Sequence, residues 1–339
     1  MGLVLLAVGV AAGVVLSRDG GSAGEDKAFC WGVIPAAAAH SVLPDGKYVA
    51  QPGVNRLDYP AGDDSCWLRR SEPETLGPWF DFQIYRKFGD LTVMPGSLGP
   101  MTSSFSGMGG DLVGLVSDYG GWVEAPPCRA GDGPAYFQLI ARDLRRETLQ
   151  RPDLARVPGR PDDNRVRVAS VLVDAANAIR AKVGCSGPPV PQPAVQTASV
   201  APLPTHALCG GPDAGRAFGA APATQSRIGP GALLEECLVT DGTQRPTDNP
   251  AFRMLAYRRG LADLMKAMHT PIPDGVIKPQ AFGAGVAGGV SATFTAQCTT
   301  GSVFYRAEAD PARVADAAVL VDRMLRAQAA ADGCPAPRA

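Results

Sequence analysis

Apolar residues follow three rhythms along this chain. The first is an unbroken run: "MGLVLLAVGVAAGVVLS" has no charged side chain from Met1 to Ser17. Drawn as a helix, residues 2–17 span about 24 Å at 1.5 Å per residue, a little under a hydrocarbon core about 30 Å thick. The polar, glycine-rich flank "SRDGGSAGED" suits a tether better than a core helix. Residues 1–17 therefore read as a transmembrane signal anchor and residues 18–28 as its tether. A cleaved signal peptide is the competing reading, although the tether directly after Leu16 offers no Ala-x-Ala site.

The second rhythm alternates, as strands with one buried face do. "DSCWLRR" and "WFDFQIYR" in the first half pair with "EECLVTD" and "FRMLAYRR" in the second. Later, "GGWVEAPPCRAGDGPAYFQLIARD" and "GGVSATFTAQCTTGSVFYRAEAD" each read as strand, turn, strand. The third rhythm is helical. In "VLVDAANAIRAKVGC" (171–185) and the run before it, Val168, Val171, Leu172, Ala175, Ala176, Ile179 and Val183 share one face. In the second half Val314, Ala317, Ala318, Val321, Met324 and Leu325 do the same, leading into "AAADGC". Asp310-Pro311 reads as the N-cap and first position of that second helix, and Gly184 and Gly333 as the left-handed residues that end the two helices.

These parallels describe a duplicated unit, and the eight cysteines mark it out. The gaps between Cys30, Cys66, Cys128 and Cys185 are 36, 62 and 57 residues; between Cys209, Cys237, Cys298 and Cys334 they are 28, 61 and 36. In each half the first cysteine precedes a short helix ("FCWGVIPAAAA", "LCGGPDAGRAF"). The second opens a strand, the third lies at a hairpin and the fourth follows the long helix. An even count with matched spacing beyond an apolar leader reads as four disulfides formed outside the cytoplasm. The favoured pairing is first with second and third with fourth in each half: Cys30–Cys66, Cys128–Cys185, Cys209–Cys237 and Cys298–Cys334. First with fourth and second with third is the alternative. No Cys-x-x-Cys occurs, and the nearest pair is 24 residues apart, which disfavours zinc.

The fold expected is α+β: two tandem repeats, residues 29–186 and 207–335, each an antiparallel sheet with a long C-terminal helix packed on it. "SGPPVPQPAVQTASVAPLPTH" lies between them, and residues 187–206 read as an extended, proline-rich linker. The opening of each repeat, "CWGVIP…SCWL" and more weakly "CGGPDA…ECLV", resembles anchored or lipidated cell-envelope proteins of actinobacteria, families of unknown function with an α+β domain. This chain departs from them in its two copies and in the third and fourth cysteines. The resemblance implies an envelope location and a fold class, and no reaction.

Charge narrows the partners. The chain has a formal net charge of −1, with 32 basic and 33 acidic side chains. Neither half has a basic stripe, so nucleic acid is not an expected partner. Other motifs have plainer readings. "GAGVAG" (Gly283, Gly285, Gly288, with Glu308 downstream) fits the dinucleotide fingerprint by letter, but an alternating strand follows where a helix is needed. His40, His206 and His269 sit apart, and none suggests a nucleophilic triad or metal site. The acidic pairs Asp63-Asp64, Asp162-Asp163 and Glu235-Glu236 read as caps and solvated charges beside turns. The Gly- and Ser-rich segment 93–110 instead carries flexible apolar residues, which suits a partner contact through Met101, Phe105 and Met108, with Trp79 and Trp122 nearby. The functional expectation is a single-pass membrane protein with its domains outside the cytoplasm, binding an envelope protein, lipid or small ligand, or scaffolding a neighbour. No catalytic residue, cofactor or metal is assigned. The alternative is an extracellular hydrolase using a carboxylate pair in the cleft between repeats.

Overall fold

The structure is a computed structural model that describes residues 28–43, 47–50, 57–70, 79–87, 105–117, 120–142, 161–196, 198–202, 207–209, 211–212, 215–218, 223–229, 232–241, 250–268, 273–280 and 289–338. The expected anchor and tether up to residue 27 and the "GAGVAG" glycines lie outside these. Among the described residues no helix is long and apolar enough to cross a membrane.

The N-terminal half begins with a two-strand ribbon, β1 (Ala28–Phe29) and β2 (Ile34–Pro35), that feeds the short helix α1 (Ala36–Val42). Seven strands then form one antiparallel sheet: β3 (Tyr48–Ala50), β4 (Asp64–Arg70), β5 (Trp79–Tyr85), β6 (Ser106–Gly107), β7 (Gly114–Ser117), β8 (Gly120–Ala125) and β9 (Ala135–Arg142), in the order β3-β4-β5-β9-β8-β7-β6. Helix α2 (Pro161–Lys182) packs on β7, β8 and β9. The C-terminal half comprises β10 (Ala198–Pro202), the ribbon β11 (Ala207–Leu208) and β12 (Gly211–Pro212), a 3-10 turn (Gly215–Phe218), β13 (Ala223–Ile228), β14 (Leu234–Asp241), β15 (Phe252–Arg258), α3 (Gly260–Met268), β16 (Ile277–Gln280), β17 (Val290–Cys298), β18 (Gly301–Ala309) and α4 (Ala317–Ala331). Its sheet is also antiparallel and seven-stranded, in the order β10-β13-β14-β15-β18-β17-β16. The molecule is thus a mixed α+β protein of antiparallel sheets with four α-helices among its described residues.

Each long helix fills one face of its sheet. Val168, Leu172, Ala175, Ala176 and Ile179 of α2 meet Cys66, Phe82, Val123 and Phe137, while Val321, Met324 and Leu325 of α4 meet Met254, Phe294 and Tyr305. The helical stripe read from the sequence is the buried one, with one exchange: Ala318 is exposed and Leu320 buried. Both helices end alike. Gly184 (φ +73°) and Gly333 (φ +66°) are left-handed. Cys185 N–H donates to Arg180 C=O (2.9 Å) and Gly184 N–H to Ala181 C=O (3.2 Å); Cys334 N–H donates to Ala329 C=O (2.9 Å) and Gly333 N–H to Ala330 C=O (3.1 Å). This is the Schellman pattern, which satisfies carbonyls the last turn leaves open.

The start of α4 differs from the expectation. Asp310 caps a separate turn, accepting the Ala312 N–H at Oδ1 (2.9 Å) while its carbonyl takes Arg313 and Val314 N–H. The helix proper begins only at Ala317, after a left-handed Asp316 (φ +52°). Pro311 fits that first turn, and Val314, at its end, still reaches the core.

The linker is not a free spacer. Asn177 of α2 brackets Val190, donating Nδ2 to its carbonyl (2.9 Å) and accepting its N–H at Oδ1 (2.8 Å). Arg180 holds the Pro188 carbonyl (2.9 Å), and Ala194 N–H donates to Met108 C=O (2.7 Å). Residues 198–202 then become β10, the edge strand of the second sheet, paired with β13. A proline-rich segment offers many carbonyls and few N–H groups, and here side chains of the helix supply the missing donors.

The two sheets also touch. β15 was expected to be half-buried, yet all seven of its residues are buried. Met254 and Ala256 face α4, whereas Leu255 and Tyr257 join Leu234, Phe304 and α3 residues Leu261 and Met265 against Phe105, Leu115, Trp122 and Tyr136 of the first half. Sheet faces meet across this apolar seam, so the layers run helix, sheet, sheet, helix.

Candidate functional site

Three of the residues expected to make a partner contact, Phe105, Met108 and Trp122, lie at or behind this seam. Phe105 and Trp122 are fully buried in it, Trp122 stacking edge-on with Tyr136 (centroids 6.3 Å apart). Met108 is fully buried in the first core. These three are therefore not on an exposed contact surface; their apolar area is used between the sheets and under α2. Met101 and the side chain of Trp79 lie outside what is described. β6 (Ser106–Gly107) explains the burial, since it pairs with β7 and packs over β14 of the other sheet.

Polar residues flank the apolar seam on both sheets. On the second, Glu236 and Arg253 project from β14 and β15 to the same face and pair at 2.7–2.8 Å, 0% and 7% exposed. Arg165 of α2 donates to Ser106 Oγ (3.0 Å) and adds its charge beside Glu236. Burial pushes the Glu236 carboxyl upward, against the pull of Arg253, Arg165 and the Phe105 backbone N–H. Arg253 loses hydration too, but Glu236 and Glu308 more than compensate and hold its guanidinium charged. Arg306 and Glu308 of β18 pair beside them, so charges alternate across three strands. At the rim, Arg259 and Asp111 join the two halves at 2.6 Å, both well exposed.

On the first sheet, Asp81, Gln83 and Tyr85 follow one another on the same face of β5. Gln83 Nε2 donates to Asp81 Oδ2 (2.5 Å), and Gln83 Oε1 accepts from Gln138 Nε2 (2.7 Å) and from the Tyr85 hydroxyl. Asp81 Oδ1 is buried with no hydrogen-bond partner among the described residues. Burial alone lifts its carboxyl to about 7, far above the ordinary aspartate range.

A third cluster lies on the outer face of the second sheet. Arg258 binds Glu235 (2.9 Å), Asp332 at the end of α4 (3.0 Å) and the Ala232 carbonyl (3.0 Å), and Tyr305 donates to Asp332. Glu235 and Glu236 are thus not solvated turn charges. They are adjacent near the start of β14, point to opposite faces, and each meets its own arginine, at 1% and 0% exposure. Asp63 and Asp64 do serve the turn: Asp64 accepts the N–H groups of Asp58 and Tyr59, and Asp63 that of Arg86. His40 is exposed on α1 beside Phe29 and Tyr48; His206, His269 and the side chains of Asp162 and Asp163 lie outside the described set.

All eight cysteines are paired, as Cys30–Cys66, Cys128–Cys185, Cys209–Cys237 and Cys298–Cys334, with Cα–Cα distances of 5.3, 4.5, 5.9 and 4.1 Å. Among the described residues no three His, Cys, Asp or Glu side chains gather closely enough to hold a metal ion. Searches for similarity return no matching family model, curated protein or solved structure. Chemically, the seam offers two carboxylates that burial pushes upward: Glu236, opposed by the charges of Arg253 and Arg165, and Asp81, lifted to about 7 with one oxygen uncommitted.

Proposed function

We propose that this chain is a membrane-anchored protein of the cell envelope whose domains lie outside the cytoplasm, and that it is a non-catalytic binding or scaffold module. We further propose that it consists of two tandem copies of one α+β unit. The observation carrying the first part is the complete pairing of eight cysteines in four bridges, each within one half, which suits an oxidising compartment. The duplication draws support from matched local devices. Cys30 (φ +48°) and Cys209 (φ +53°) are both left-handed, the second cysteine of each half lies in a strand bonded to the next strand, and both long helices end in a glycine turn and a cysteine. The strand series β4-β5-β9-β8-β7 corresponds to β14-β15-β18-β17-β16. A binding role is favoured because Glu236, the most deeply buried inward carboxylate, is taken up by its ion pair with Arg253.

The test is performed on cells producing the full chain. Fractionation, external protease treatment of intact cells and thiol alkylation before lysis should find it in the membrane fraction, cleavable from outside and without free thiols. Recovery in the cytoplasm with eight alkylatable cysteines overturns the proposal.

A further inference from the structure

The four bridges differ in what surrounds them. Cys30–Cys66 and Cys209–Cys237 tie the N-terminal ribbons to strands β4 and β14, and all four cysteines are at most 2% exposed. Cys128–Cys185 and Cys298–Cys334 tie a hairpin to the end of a long helix. In each, the hairpin cysteine is buried but the helix-end cysteine is only half-buried. Beyond each helix-end cysteine runs a proline-containing strap, and each helix holds it with an arginine: Arg180 to the Pro188 carbonyl (2.9 Å), Arg326 to the Pro337 carbonyl (2.6 Å).

The straps differ in how firmly they are fixed without the sulfur. The first is pinned by Asn177 on both sides of Val190, by the burial of Val190 and by the Ala194–Met108 hydrogen bond. The second, residues 334–338, has no buried side chain. It lies along the edge beside β16 through Ile277 N–H to Arg338 C=O (3.3 Å), Arg338 N–H to Gly275 C=O (2.7 Å) and the Arg338 guanidinium on the Asp274 carbonyl (3.1 Å). Hydrogen bonds at an exposed edge with little buried apolar surface belong to the low-stability end of a fold.

We infer that Cys298–Cys334 is a redox-operated latch: its reduction releases the C-terminal strap from the β16 edge, while Cys128–Cys185 is reducible without moving its strap and the two ribbon bridges stay closed. The reductant is an external dithiol. Its thiolate attacks one sulfur of the bridge, breaking the S–S bond and forming a mixed disulfide while the other cysteine leaves as thiolate and takes up a proton. The second thiol of the reductant then displaces the remaining cysteine, so two electrons pass to the protein and the dithiol becomes a cyclic disulfide. Accessibility selects the helix-end bridges, because attack on the ribbon bridges requires opening the core around β4 or β14. Release frees the Ile277 N–H and the Gly275 and Asp274 carbonyls at the start of an edge strand, the kind of main-chain group through which sheets accept an added strand.

The experiment treats the native full chain with graded dithiothreitol, quenches with an alkylating agent, and reads each bridge by peptide mass spectrometry beside hydrogen exchange. Cys128–Cys185 and Cys298–Cys334 should open at least about tenfold faster than the ribbon bridges, as local openings outrun global ones. Exchange should rise at the Ile277 amide, read in a peptide spanning 275–280, as Cys298–Cys334 opens, and the stretch around Val190 should remain protected. A C298S/C334S double variant without reductant should reproduce the exchange at 275–280, which separates latch release from any effect of the reductant. Simultaneous opening of all four bridges, unchanged exchange at 275–280 once Cys298–Cys334 is open, or global loss of protection overturns the inference.

Discussion

Asp81 has the most telling environment of any single side chain here. Its carboxyl, lifted by burial from 3.8 to about 7, stays protonated in the folded chain where the unfolded chain has already ionised. Between those values the folded state binds more protons, so stability falls as pH rises from about 4 to about 7 and levels off above. Asp81→Asn should therefore flatten this slope and raise the melting temperature at pH 8 while changing little at pH 4; thermal melts across that range check it. At the same scale Gly184 and Gly333 were legible from the sequence, because a glycine before a cysteine at the end of an apolar helical stripe has few other uses. Gly184→Ala meets no atom within 4 Å and should cost about 1–2 kcal/mol through its φ alone. Gly333→Ala should cost more, since its Cβ would stand 2.3 Å from Thr299 Oγ1. Asp81 was not legible: alternation places it on the outward face of a strand and says nothing of what covers that face.

Among the elements, β14 and β15 show where the pattern misled. "EECLVTD" and "FRMLAYRR" alternate as half-buried strands do, and Glu235-Glu236 read as caps and solvated charges. Burial of a charged residue depends on a partner distant in sequence, and Glu236 finds Arg253 seventeen residues later. Such a pair contributes specificity more than net stability, and its loss on one side is costly. Glu236→Ala should destabilise by about 3 kcal/mol in urea unfolding, whereas Glu236→Leu combined with Arg253→Met should lie close to the parent. A double-mutant cycle reads the coupling directly. The two long helices, strands β4, β5, β14 and β15, the hairpins β8-β9 and β17-β18 and the favoured bridge pairing could be read because each rests on local periodicity or on spacing repeated in both halves. The shift of the α4 start to Ala317 could not, since Asp310-Pro311 satisfies the same capping chemistry for a lone turn.

Taken as a whole, the molecule is two sheets closed face to face on aromatic residues, with the joining segment fastened to α2 before it enters the second sheet. Heat or urea should therefore unfold it in one transition rather than two. Phe304→Ala, fully buried at the seam, should cost about 3–5 kcal/mol and separate the unfolding of the halves, visible as a second calorimetric peak. The seam escaped sequence reasoning because Phe105 and Met108 sit in a glycine- and serine-rich stretch that resembles an exposed loop, and only the pairing of β6 with β7 carries them inward.

The glycine turns that finish both long helices also bear on how a reduced chain finds its bridges. Eight thiols can be joined in 105 ways. A left-handed turn after a formed helix aims Cys185 and Cys334 back toward their hairpins before any sulfur has reacted. Oxidative refolding should then acquire Cys128–Cys185 and Cys298–Cys334 ahead of the ribbon bridges, and trapped intermediates of Gly333→Ala should be enriched in scrambled species.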